Sequence, residues 1–133
     1  MKEKYFKFNN NRYFYVDNEN KDKKTIIMLH GILASHKMFE KNVDCIESDF
    51  HLIIPDMPGF GKSDGFEEYT FEKYVNWIDE FIKTVGDDEK VIVWGASLGG
   101  VIAAYYASTR PEKVSHLILE SSLSCSGDII SKN

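Results

Sequence analysis

Four short runs of nearly uninterrupted apolar residues constrain this chain more than any other feature: Thr25 to Leu29, Phe50 to Ile54, Val91 to Trp94 and Val114 to Leu119. Continuous rather than alternating hydrophobicity over so few residues marks strands covered on both faces. Between them lie helical patterns. Apolar residues recur at intervals of three and four from Thr70 to about Val85 (Phe71, Tyr74, Val75, Ile78, Phe81, Ile82 and Val85), with Thr70 as N-cap and Gly86 as stop. A moderately amphipathic stretch runs from about His36 to Ser48, and an Ala- and Tyr-rich helix from Val101 is closed by Pro111. Strands alternating with helices through short loops predict an α/β fold with a mostly parallel sheet and helices on both faces. The opening is different. Tyr5 to Phe8 and Arg12 to Val16, separated by Asn9-Asn10-Asn11, read as an antiparallel hairpin entering the sheet.

Composition excludes several classes. At 133 residues, 43% hydrophobic, the chain forms one domain, residues 1–133, that buries about two-thirds of its unfolded surface without disulfide staples. A net charge of −5 offers no broad basic face for nucleic acid or anionic lipid. Lys21, Lys23 and Lys24 are interrupted by Asp22 and read as a solvated turn. No apolar run approaches the roughly 18 residues of a membrane span, and Met1 to Lys7 lacks the apolar core of a secretory signal, so the cytoplasm is the default compartment. Cys45 and Cys125 match no metal or redox spacing and read as ordinary thiols.

Parallel sheets place ligands at the carboxyl ends of their strands. Three glycine-bearing loops leave such ends, after Leu29, after Ile54 and after Trp94, and they should converge on one side. The loop after Ile54, with Pro58, Gly59, Gly61 and Gly65, is expected to be exposed. Gly95-x-Ser97-x-Gly99 is the sharpest local signal. A serine in a tight strand-to-helix turn adopts a strained backbone, and its neighbours two residues away must lack side chains so that strand and helix can approach. The turn aims the Leu98 amide, at a helix start, toward the mouth of a site, which is half of an oxyanion hole. His30-Gly31-Ile32, after an adjacent strand, is placed to supply the other half through the Ile32 amide. A plain close-packed turn is the bland alternative.

Leu29-His30-Gly31, Asp56-Met57-Pro58-Gly59-Phe60-Gly61-Lys62-Ser63 and Gly95-Ala96-Ser97-Leu98-Gly99-Gly100, in that order, resemble the α/β-hydrolase family, in its branch of small esterases, acyl hydrolases and C–C bond hydrolases. The resemblance runs from about Tyr5 to Ser122. It implies Ser97 as nucleophile, Leu98 and Ile32 as oxyanion amides, His30 and Gly31 as shapers of the oxyanion loop, and Gly95 and Gly99 as the glycines of the nucleophile turn. It implies a small-molecule ester or other acyl substrate and neither metal nor organic cofactor. Gly61-Lys62-Ser63 is not a phosphate loop, since that motif needs Gly where this chain has Asp56.

A serine hydroxyl is a poor nucleophile until a histidine takes its proton and a carboxylate holds that histidine. In the family the acid and then the histidine follow later strands, so this chain is expected to cover only the first half of the fold, through the sixth strand, without the cap. His51 and His116 read as packed or edge residues, His36 as a surface residue or cap. Glu120, ending the last strand, is a weak candidate acid. Without a base, no more than the residual ~10³ to 10⁴ acceleration of a triad-less hydrolase is expected. The last strand should leave an open apolar edge, inviting self-association or pairing with a complementing C-terminal half. The rival reading is a non-catalytic remnant or interaction module that keeps the scaffold.

Overall fold

The computed structural model describes residues 1–85 and 90–120. Gly86, Cys125 and the Ser-rich stretch after Glu120 lie outside the described residues. Strands β1 (Lys2–Phe8) and β2 (Asn11–Asp17) pair antiparallel, with Phe6 opposite Tyr13. Asn9 and Asn10 turn the chain between them at φ 48° and 66°. Both values are left-handed, as the tightest hairpin turns require, and asparagine tolerates that region better than other residues with a side chain.

The parallel part follows. β3 (Thr25–Leu29), β4 (His51–Pro55), β5 (Val91–Ala96) and β6 (Val114–Glu120) join the hairpin in one sheet of order β1-β2-β4-β3-β5-β6. β2 meets β4 antiparallel, whereas β3 pairs parallel with both β4 and β5, and β5 with β6. The mostly parallel sheet and the antiparallel N-terminal hairpin are thus those expected from the sequence, but β6, expected to be covered on both faces, is exposed from His116 to Glu120 because it is an edge strand among the described residues.

Alternate residues of each strand face opposite sides, so the sheet carries two cores. Tyr13, Tyr15, Ile27, Ile53 and Val93 pack against α2 (Phe71–Val85) and α3 (Leu98–Thr109) through Trp77, Phe81, Ile102 and Tyr106. On the other face Val16, Ile26, Met28, Leu52 and Ile54 pack against Phe39, in a 3-10 turn (His36–Phe39), and Val43 of α1 (Glu40–Ile46). Asp79 of α2 accepts hydrogen bonds from the Tyr106 hydroxyl at 2.8 Å and the Arg110 guanidinium at 3.1 Å, tying α2 to the end of α3. No helix among the described residues is long and apolar enough to cross a membrane.

α2 corrects the periodicity in one place. Thr70 caps it as expected, its hydroxyl accepting from the Lys73 amide at 3.1 Å. Phe71, counted on the buried face, is 47% exposed and stacks on Tyr105, while Trp77, outside the counted set, is fully buried. Phe71, the first residue of the helix, packs on Tyr105 of α3 and not on the sheet. Trp77→Ala therefore leaves a large void and is expected to cost about 3–5 kcal/mol in urea unfolding. Phe71→Ala should cost well under half of that.

Candidate active site

Ser97 joins β5 to α3 at φ 60° and ψ −125°. A residue with a side chain is rarely found there, and holding it costs on the order of 1–3 kcal/mol, which the surroundings must supply. They do so by close packing. A Cβ on Gly31 would lie 2.6 Å from the Ser97 Cβ and 3.1 Å from its Oγ. Cβ atoms on Gly95 and Gly99 would run into the carbonyls of Gly99 and Leu29 respectively. β3, β5 and α3 meet backbone to backbone around Ser97, which is half-buried.

The expected residues assemble unequally. Ser97, Gly31, Gly95 and Gly99 are in mutual contact or one residue removed. Leu98 opens α3, where an amide has no carbonyl one turn earlier to bond. Ile32 follows Gly31 with its side chain 59% exposed. Glu120 ends β6 in register with Ala96, and its carboxylate accepts a hydrogen bond from the Trp94 indole at 3.1 Å.

His30 is fully buried and both ring nitrogens are engaged. Nδ1–H donates to the Gly31 carbonyl at 2.7 Å, and Nε2 accepts from the Met57 amide at 2.8 Å. Burial pushes the imidazole below its ordinary pKa, outweighing the Gly31 carbonyl, which favours the charged ring. A neutral ring bonded at both ends positions loops and moves no proton. It joins the loop after β3 to the loop after β4, and Gly31 joins the former to Ser97, so the three loops converge as expected.

The loop after β4 departs from expectation. Asp56, Met57 and Pro58 are buried, and exposure begins only at Gly59. Asp56 explains this: its Oδ1 accepts from the His36 amide and from His36 Nδ1, both at 2.8 Å, and its Oδ2 accepts from the Lys62 amide at 2.9 Å. Ser63 extends the network, its hydroxyl donating to the Asp56 carbonyl at 2.7 Å and accepting from the Phe14 amide at 2.9 Å. His36, expected as a surface residue or cap, is instead the partner of a buried carboxylate, and Ser35 caps its turn. Asp56 was legible as part of a motif, but its bond to a histidine twenty residues earlier had no local signal.

The remaining histidines lie elsewhere. His51 opens β4 at the amino end of the parallel strands and is bonded between Asp17 and Thr25, at 2.9 and 3.0 Å. His116 is exposed on β6, in register with Ile92 near the start of β5. None of the chain's four histidines presents a free nitrogen to Ser97.

Beside Ser97 a cleft of about 450 Å³ opens between the loops and the two helices, lined by Ile32, Phe60, Tyr69, Phe71, Tyr74 and Leu98 among others. Its volume lies in the range of pockets that hold small-molecule ligands. The helical periodicity accounted for Phe71 and Tyr74 only as helix residues, and nothing in the sequence singled out Tyr69.

The chain is similar to known proteins. The profile of the alpha/beta hydrolase fold matches residues 24–131, and the chain belongs to that family. It is 33% identical over 139 residues to a 1-acylglycerol-3-phosphate O-acyltransferase of Arabidopsis thaliana, covering 98% of this chain and 33% of the plant protein. It is 28% identical to a monoacylglycerol lipase of Xenopus laevis, covering 90% of this chain and 36% of the lipase. The crystal structure of a naproxen esterase from Bacillus subtilis superposes with a TM-score of 0.81 at 25% identity, covering 87% of this chain and 41% of the esterase. The chain thus spans about a third of the length of these curated relatives.

Asp56 yields a test of the network. Burial alone would raise its pKa, but the Lys62 and His36 amides and the His36 ring more than offset this and hold it below the ordinary carboxylate range. Asp17 is lowered in the same way, by Lys4, the Glu19 amide and His51 against burial. A depressed folded pKa stabilises above the unfolded value of about 4 and is lost as pH falls through the folded value. Stability should therefore decline from about pH 4 downward. Asp56→Asn turns an acceptor toward the Lys62 amide into a donor or leaves His36 unpaired, and is expected to cost about 2–4 kcal/mol at pH 7 and to shrink the acid-dependent loss in denaturant titrations.

Proposed function

We propose that this chain carries the nucleophile half of a serine hydrolase that transfers an acyl group from an ester or related substrate to water. The observation that carries the reading is Ser97 itself, a serine at positive φ between a buried strand and a helix, with Gly31 pressed against its side chain. Ser97 Oγ attacks the substrate carbonyl. The Leu98 and Ile32 amides hold the resulting oxyanion, where each well-aimed donor is worth on the order of 10²–10³ in rate. The tetrahedral intermediate collapses, expels the alcohol with a proton, and leaves an acyl-Ser97 ester that water then cleaves.

The Ser97 proton needs an acceptor. With His30, His36 and His51 engaged and His116 on a distant part of β6, that base comes from outside the 133 residues, on the same or another polypeptide. Glu120 accepts the Trp94 indole N–H through one carboxylate oxygen, which leaves acceptor capacity on the carboxylate for orienting such a histidine. Supplying the base from solution tests the assignment. With imidazole present, a fluorophosphonate is expected to label one site per chain, mapped by mass spectrometry to Ser97, and Ser97→Ala to abolish it. An unlabelled folded wild-type chain would overturn the reading.

A second reading, a scaffold that associates through its sheet edge, is favoured by β6. Among the described residues that strand pairs only with β5, and Leu117, Ile118 and Leu119 are 38%, 39% and 47% exposed. The opposite edge, β1, bears Lys2, Glu3, Lys4 and Lys7, charges that discourage pairing. Wild-type chain is expected to self-associate with rising concentration in analytical ultracentrifugation, and Ile118→Lys to shift it toward monomer. Equal sedimentation of the two would remove this reading.

A further inference from the structure

The aromatic cleft beside Ser97 identifies the substrate's acyl portion more closely, and the inference rests on the hydrolase reading above. We infer that the cleft receives an apolar acyl chain, so that the substrate is a fatty-acyl ester whose alkyl tail, and not its polar head, lies between the loop after β4 and helices α2 and α3.

Position comes first. The cleft is bounded by Ile32 and Leu98, the residues whose amides face the reacting carbonyl in the proposed mechanism. A carbonyl held between them places its carbon substituent beside the cleft.

Chemistry comes second. The lining is aliphatic and aromatic, and among the described residues no charged side chain contributes to it. Its hydroxyl-bearing side chains are occupied or enclosed. Thr70 Oγ1 caps α2, accepting from the Lys73 amide, and the Tyr69 hydroxyl donates to the Pro58 carbonyl at 3.5 Å. Burial pushes the Tyr74 hydroxyl up to about 12, so this wall disfavours charge. A phosphate, carboxylate or sugar placed here would exchange water for hydrocarbon without a partner, whereas methylene groups gain from the same exchange.

Shape comes third. Ile102 and Tyr74 at the floor are buried members of the core, so the floor is fixed by sheet packing. At the rim Tyr69 and Phe71 are 50% and 47% exposed, and Phe71 stacks on Tyr105 with ring centroids 4.6 Å apart. Exposed aromatic rings around an apolar recess give an alkyl chain an entrance from solvent.

Straight-chain methyl ketones from 2-butanone to 2-dodecanone probe the cleft without requiring turnover. In NMR titrations of the wild-type chain, affinity is expected to rise about fourfold per added methylene and then level off when the cleft is filled. The amides of Ile32, Phe60, Leu98 and Ile102 should shift most. Ser97→Ala should bind the same series with the same chain-length dependence. Phe71→Asp, at an exposed position, is expected to weaken the longer ketones about tenfold while leaving 2-butanone unchanged. Affinity independent of chain length, or shifts centred on β6, would overturn the inference. Ketone binding with no phosphonate label on Ser97 retains the cleft and removes the nucleophile. Labelling without chain-length dependence does the reverse.

Discussion

The carbonyl of Leu29, at the end of β3, lies so near Gly99 that no side chain fits between them, and the other local geometry of the site follows from that contact. α3 can descend onto the sheet only because Gly95 and Gly99 leave the turn bare on both sides of Ser97. Once α3 is down, its buried residues Ile102, Ala103 and Tyr106 enter the same core as Ile27, Val93 and the α2 aromatics. Burial of each large apolar side chain contributes roughly 1.5–3 kcal/mol, so three or four outweigh the cost of one strained serine. The strain at Ser97 is thus sustained by packing many residues away.

That packing fixes Ser97 but not the loops that face it. Polar groups do so, each satisfied within the structure. The doubly bonded neutral His30 couples the loop after β3 to Met57, and Asp56 couples the loop after β4 to His36 and Lys62. Ser63 carries the connection to β2 through the Phe14 amide. Half-satisfied groups in such a place would destabilise it, because an unpaired polar atom away from water costs more than its bond returns. Complete pairing lets three loops from separate strands hold a common geometry.

How much of this was readable in sequence depended on range. β3 was legible residue for residue because a double-faced strand must be apolar at every position, and the glycine spacing around Ser97 because steric exclusion acts over two residues. Asn9-Asn10 was legible as a turn for the same local reason. The pairing of His36 with Asp56 was not, since either residue alone resembles a surface group and only the fold brings them together. Trp77 and Phe71 exchanged their expected places because periodicity gives a helix's apolar face and not which neighbour each residue on it meets. The cleft was illegible for a compound reason: Phe60 and Tyr69 sit well apart in the long loop between β4 and α2, Ile102 belongs to α3, and each has an ordinary local explanation.

Placing a serine and activating it are two separate requirements at this site, and they differ physically. The turn, the loops and the cleft are held by contacts made within residues 1–120, so their geometry does not wait for a histidine. Proton transfer does wait, because a hydroxyl bonded to no base remains a weak nucleophile however well it is placed. Position and activation are therefore separable in this chain. In the proposed mechanism, oxyanion stabilisation and apolar binding act on the substrate's carbonyl and tail, and neither depends on the Ser97 proton. In that proposed mechanism, a base supplied from outside these residues meets a Ser97 that is already oriented, so its own effect on the rate is that of proton transfer alone.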